Sequence, residues 1–202
     1  MPNWCTNYMT VQGQKEDVQA FANAVVDVEE RVNELHDIPA SIFDKLLPMP
    51  ENGSKPMINA EGEVIGSAFA DPERDGDEYI DGWKWTVQNW GTKWGDCDAT
   101  FSNYGDSLEF FYQTAWSPAN YTAISKMYPN LTFIIRYEEG GMCFVGCDVY
   151  QNGEYTHYEG DYPDLGEYEA NDGDYDYESH DLAVDQAMED CYRQAQNNLV
   201  SA

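Results

Sequence analysis

Apolar residues in this chain change their spacing in a fixed order, and that order restricts the folds open to it. Trp4 to Val11 is rich in β-forming residues and stops at Gly13, the pattern of a strand. From Lys15 to Leu35 the apolar residues Val18, Phe21, Ala22, Val25, Val28 and Val32 recur at helical spacing, with one face to bury. Residues 97–104 and 107–114 read as two strands joined at Tyr104-Gly105-Asp106, with Leu108, Phe110 and Tyr112 alternating against Glu109, Phe111 and Gln113. A helix from Pro118 to about Tyr128 follows, since a first turn tolerates proline, and then an apolar strand over Leu131–Tyr137. Strand, helix, two strands, helix, strand is the βαββαβ order of an α+β fold of ferredoxin-like type, an antiparallel sheet with the helices on one face.

Between and after these elements the pattern is less regular. Ile38 to Leu47 predicts a short helix ended by Pro48 and Pro50. Residues 51–78 predict a long loop with a small hairpin around Val64-Ile65. Trp83, Val87, Trp90 and Trp94 fall at steps of four, three and four, a helical turn or two running into an ordered loop, Gly91–Gly95. Gly140-Gly141 turns the chain into Met142–Tyr150, and Asn152-Gly153 is a hairpin signal leading into Tyr155–Tyr158. Residues 159–178 show no apolar period and read as an acidic loop. A last helix is expected from about Leu182 to Leu199, capped by Asp181, with Val184, Met188, Cys191, Ala195 and Leu199 on one face. The expected organisation is a domain over 1–150, with a loop insertion at 48–80. Residues 151–202 follow as an acidic, Tyr-rich segment and a C-terminal helix packed on the domain or appended to it.

Charge limits the partners. The formal net charge is −28 over 202 residues. Between Arg136 and Arg193 lie 56 residues with 17 Asp or Glu and no Lys or Arg, interleaved with Tyr150, Tyr155, Tyr158, Tyr162, Tyr168, Tyr175 and Tyr177. Such a block repels nucleic acid and anionic membrane and attracts basic surfaces. Direct nucleic-acid binding is therefore not expected, because affinity there rests on phosphate neutralisation. No stretch approaches the roughly 20 apolar residues of a membrane span. The start, Met1-Pro2-Asn3-Trp4, lacks the basic and apolar runs of a leader. Cys5, Cys97, Cys143, Cys147 and Cys191 are odd in number and scattered, and read as reduced thiols of a cytosolic protein.

Few residues suggest chemistry. Cys143 and Cys147 would share a strand face about 13 Å apart, at roughly 3.3 Å per residue, too far for one metal ion. His36, His157 and His180 are isolated, and no hydrolytic triad order or phosphate-binding glycine loop stands out. Asp172, Asp174, Asp176 and Glu178 alternate without the central Gly and distal Glu of a calcium loop. Trp83, Trp85, Trp90, Trp94 and Trp116 are expected in a core around the 89–94 loop rather than as a base-stacking platform, with Lys93 holding a neighbouring carboxylate. No catalytic residue, metal or cofactor is expected.

Four strings carry a resemblance: Met1-Pro2-Asn3-Trp4-Cys5-Thr6-Asn7, Asn89-Trp90-Gly91-Thr92-Lys93-Trp94, Thr114-Ala115-Trp116-Ser117-Pro118 and Tyr137-Glu138-Glu139-Gly140. Over roughly residues 1–150 the chain resembles the YubB-type ferredoxin-like domain family of bacteriophages and plasmids, a name that refers to fold shape and not to an iron–sulfur centre. The resemblance implies the fold and a viral or mobile-element origin, and carries over no catalytic residue. The resulting expectation is a non-catalytic accessory protein in the host bacterial cytoplasm. It would bind and inhibit a host defence or nucleic-acid-processing protein through an acidic, DNA-mimicking surface. The residues expected to carry it are Glu154, Glu159, Asp161, Asp164, Glu167, Glu169, Asp172, Asp174, Asp176 and Glu178, with Tyr168, Tyr175 and Tyr177, since tyrosine is enriched at interface hot spots. Two other readings stay open: a metal-dependent enzyme using clustered carboxylates, and a protein-binding module whose acidity serves solubility.

Overall fold

Strand β1 (Trp4–Gln12) forms where the sequence predicts it, and its side chains alternate, with Cys5, Asn7, Met9 and Val11 buried on one side. The computed structural model of the protein describes residues 3–28, 35–49, 55–70, 79–168 and 175–200. Helix α1 (Lys15–Val25) buries Val18, Phe21, Ala22 and Val25. Next come β2 (Ile38–Pro39), α2 (Phe43–Leu46), β3 (Lys55–Ile58), β4 (Val64–Ala70), β5 (Tyr79–Asp81) and α3 (Gly82–Trp90). Then follow β6 (Cys97–Asn103), β7 (Ser107–Ala115), α4 (Thr122–Met127) and β8 (Thr132–Glu139). The chain closes with β9 (Phe144–Gln151), β10 (Glu154–Gly160) and α5 (Tyr177–Val200).

The main sheet has the strand order β10-β9-β8-β1-β7-β6-β2, and every described pairing in it is antiparallel. Its middle, β8-β1-β7-β6 with α1 and α4, is the ferredoxin-like unit expected from the pattern. The sheet is wider than expected, with seven strands. The Asn152-Gly153 turn adds β10 to β9, and Ile38-Pro39 pairs with Phe101 and Thr100 at the other edge. An edge suits Pro39, which has no N–H to give a ladder. Phe21 sits inside the principal core, with its ring 6.0 Å from Phe110, 5.0 Å from Tyr128 and 5.3 Å from Phe133, all edge-on. Such pairs contribute about 0.5–1.5 kcal/mol each beyond area burial.

Several boundaries differ from the sequence expectation. Helix α1 ends at Val25 because Val26 turns extended and bridges Ala40; Val28 is exposed, and Val32 lies outside the described residues. The helix expected over 38–47 is split, its second half starting where the Asp96 carboxylate accepts the Ile42 and Phe43 amides at 2.5 and 3.1 Å. The loop expected at 51–78 contains β3 and β4, paired across a turn in which Asn59 Oδ1 accepts the Glu61 and Glu63 amides; 51–54 and 71–78 lie outside the described residues. Helix α4 starts at Thr122, not Pro118, because Ser117 and Asn120 are held to the 89–94 loop. Helix α5 starts at Tyr177, earlier than expected. Asp176, not Asp181, caps it, accepting the Ser179 amide at 3.1 Å.

Candidate functional site

The strings that carry the resemblance converge. The Trp116 amide donates to Asn3 O at 2.8 Å, the Thr92 hydroxyl to Ala115 O at 2.7 Å, and the Ser117 hydroxyl to Gly91 O at 3.0 Å. Glu139, buried at the end of β8, accepts the Gly141 and Met142 amides of the turn that follows, and a Cβ at Gly141 would lie 2.7 Å from Asn3 Nδ2. Trp116 takes a left-handed φ of 55°, an uncommon conformation for a bulky residue and one that the surrounding bonds must hold.

The tryptophans divide. Trp85 and Trp90 are buried as expected, and the Trp90 ring donates to Leu47 O. Trp83, Trp94 and Trp116 are exposed, which corrects the expectation that all five form core. The Lys93 ammonium lies over the Trp94 and Trp116 rings, at 5.1 and 6.0 Å, where a carboxylate partner was expected. Trp4 joins them, 5.7 Å from Trp94.

Trp4 also belongs to the second face of the sheet, opposite α1 and α4. On that face the register sets Tyr8 beside Phe111 and Arg136. The Tyr8 and Phe111 rings are 5.5 Å apart, and both are exposed. Helix α5 covers the β8–β10 half of this face, packing Cys191 and Ala195 on Ile134, Cys147 and Val149, and Val184 and Met188 on Val145. Gly160 makes the close approach possible, since a Cβ there would lie 2.7 Å from Cys191 Sγ. Arg136 ties sheet to helix, donating to Glu189 at 3.2 Å and lying 4.9 Å from the Tyr192 ring. An open groove of about 490 Å³ runs between Tyr8, Arg136 and α5.

The acidic residues named from the sequence fall in three places. Glu154 and Glu159 are exposed on β10; Asp161, Asp164 and Glu167 are exposed on the following segment, where Asp164 Oδ1 accepts the Gly166 amide. Asp176 and Glu178 begin α5. Glu169, Asp172 and Asp174 lie outside the described residues. Tyr177 is exposed, whereas Tyr168 and Tyr175 pack with Tyr162 around the buried ring of His180, at centroid distances of 5.3, 5.7 and 5.7 Å. Hydrogen bonds from the Ser179 hydroxyl and amide hold Asp176 below the usual carboxylate range.

A second cluster was not anticipated. Asp148, buried in β9, accepts His157 Nδ1 at 2.8 Å and the hydroxyls of Tyr137, Tyr150 and Tyr155 at 3.3, 3.4 and 3.3 Å. Burial pushes its pKa up against the lowering effect of the His157, Tyr155 and Tyr137 hydrogen bonds. A cavity of about 250 Å³ adjoins it, lined also by Asn120, Thr122 and Tyr155. The signal was present in the sequence: a two-residue turn at Asn152-Gly153 sets His157 opposite Asp148. Among the described residues no three His, Cys, Asp or Glu side chains are placed to hold a metal ion, and no helix is long and apolar enough to cross a membrane.

Residues 89–185 match the family model described as the ferredoxin-like domain in Api92-like protein. The matched span runs past residue 150, through the acidic stretch and into α5. The crystal structure of protein api92 from Yersinia pseudotuberculosis aligns with 81% of this chain and 99% of its own, at 10% identity and a TM-score of 0.43. No curated protein matches the chain.

Proposed function

We propose that this chain is a non-catalytic accessory protein of a bacteriophage or mobile element, which binds a basic surface on a host defence or nucleic-acid-processing protein. The observation that carries the reading is the adjacency of β10 and α5. Asn198 of α5 donates to the Tyr158 hydroxyl of β10 at 3.0 Å, and the elements pack through Gly160 and Cys191. Exposed Asp161, Asp164 and Glu167 lie on the segment that joins β10 to the start of α5, where Tyr168 O accepts the Asp176 amide beside exposed Glu178; Glu154 and Glu159 flank it on the two faces of β10. The chain supplies no Lys or Arg between Arg136 and Arg193 to neutralise them. Dense carboxylates of this kind complement surfaces that otherwise hold phosphates, and their field speeds encounter.

The test is a pull-down from bacterial lysate at about 0.05 and 0.5 M salt, across which the Debye length shrinks about threefold. The parent is compared with a variant carrying Glu159→Gln, Asp161→Asn, Asp164→Asn and Glu167→Gln. A basic partner held at low salt, lost at high salt, lost by the variant and displaced by duplex DNA is the expected result. Equal capture by both chains at both salt concentrations overturns the reading.

A further inference from the structure

The groove between α5 and the open half of the sheet has the Tyr8 ring on its floor and an acidic wall. Tyr8 is 37% exposed and Phe111 40%, side by side on the two central strands, more contiguous aromatic surface than a sheet face needs for folding. On the α5 side stand Leu182, Asp185 and Glu189. Asp181 and Asp185 lie close enough to Glu138 on β8 to help raise its pKa, behind the larger effect of burial. The Tyr8 hydroxyl senses the same field: its pKa is raised by burial first, then by Asp185 and Glu138, each with more effect than the opposing Arg136. Among the described residues Arg136 is the one base lining the groove, and Glu189 already holds it at 3.2 Å.

Arg136 also shows which group this surface accepts. Its guanidinium lies 5.9 Å from the Tyr8 ring and 4.9 Å from Tyr192, edge-bonded to a carboxylate. Guanidinium suits such a place because it is planar, weakly hydrated for a cation, and able to stack on rings while its edges donate to carboxylates. Asp185 and the exposed part of the Tyr8 ring line the same groove and offer the same pair of contacts to a second guanidinium. The volume of about 490 Å³ lies in the range of ligand sites and admits one long side chain with its flanking backbone. A phosphate-bearing strand meets the opposite field, which disfavours nucleic acid in spite of the Tyr8 ring.

We propose that this groove is an anchor site for an arginine side chain of a partner protein, stacked on Tyr8 and paired with Asp185. The inference rests on the reading that the chain binds a basic protein surface, and names where that surface is gripped.

The experiment is an amide and methyl NMR titration of the full chain with three capped tripeptides, Gly-Arg-Gly, Gly-Lys-Gly and the neutral Gly-citrulline-Gly, and with an oligothymidylate. The expected result is saturable shifts at Tyr8, Leu182, Asp185 and Met188 with the arginine peptide, weaker ones with lysine, and none with citrulline. Asp185→Asn and Tyr8→Leu should each weaken the arginine peptide about two- to fivefold, with the rest of the spectrum unchanged. Equal shifts with citrulline, or no groove shifts with arginine, overturn the inference. Oligothymidylate binding the groove more tightly than the arginine peptide also overturns it, in favour of a base-stacking platform. If the arginine peptide leaves the groove silent while a basic partner is still captured with salt sensitivity, the anchor falls and the acidic-surface reading stands. Groove binding with no such partner supports the anchor and removes that reading.

Discussion

Replacing Asp148 by alanine tests whether the tyrosine–histidine cluster is held by its carboxylate. Four donors converge on this side chain. Tyr155 and the His157 side chain are open to solvent, so water can replace the lost acceptor at little net cost. Tyr137 and Tyr150 are each 4% exposed, and a buried donor left without a partner costs about 1–3 kcal/mol. Two such donors set an upper range of about 2–6 kcal/mol. Three effects lower it, the first being that the Tyr137 hydroxyl also lies 3.2 Å from His157 Nδ1, which can take over as its acceptor. Removing Asp148 also removes the cost of burying a carboxylate, the reason its pKa is raised, and the adjoining cavity can admit water beside Tyr150. The expected loss is therefore about 2–4 kcal/mol, seen as a shift of roughly 5–12 °C in Tm for a chain of this size or as a lower urea midpoint at unchanged slope. Asp148→Asn, which keeps an acceptor without the charge, should lose less than half as much. Adding Tyr137→Phe and Tyr150→Phe to Asp148→Ala removes the orphaned donors and should recover about 1–3 kcal/mol. If Asp148→Ala costs under about 1 kcal/mol, or the two phenylalanines deepen the loss, the carboxylate does not hold this cluster together.

Other outcomes follow from single contacts. Gly160→Ala places a Cβ 2.7 Å from Cys191 Sγ and 2.8 Å from Val145 Cγ2, so urea unfolding should show a loss of about 1–3 kcal/mol, partly recovered by Cys191→Ala. Burial pushes the Asp96 carboxyl up to about 6, despite the Ile42 and Phe43 amides that lower it. Its folded state thus holds the proton more tightly than the unfolded state. Its contribution to stability is full below about pH 4 and is lost as pH rises through about 6. Asp96→Asn should remove that slope from a denaturation series over pH 4–7. Asp176→Ala removes the α5 cap and should cost about 0.5–2 kcal/mol, with faster hydrogen exchange at the Ser179 and His180 amides.

What the sequence determined by itself was local. Period-two alternation in β7 marked Leu108, Phe110 and Tyr112 as one buried face, and the spacing of Val18, Phe21, Ala22 and Val25 marked the face of α1. The Asn152-Gly153 turn announced β10, because its left-handed residues are locally encoded. Helix ends were less legible. Asp176 and Asp181 are equally good caps by residue type, and packing chose between them: the extra turn brings His180 inside the ring formed by Tyr162, Tyr168 and Tyr175. Only the tertiary structure decided what meets across the chain. Asn3, Gly91 and Ala115 lie far apart in sequence, and the hydrogen bonds that join their loops depend on the β1–β7 pairing. The second face of the sheet was decided in the same way. Tyr8, Phe111 and Arg136 sit at ordinary outward positions on three strands, and strand order and register make them neighbours. Alternation says which way a side chain points, and only non-local pairing says what stands beside it.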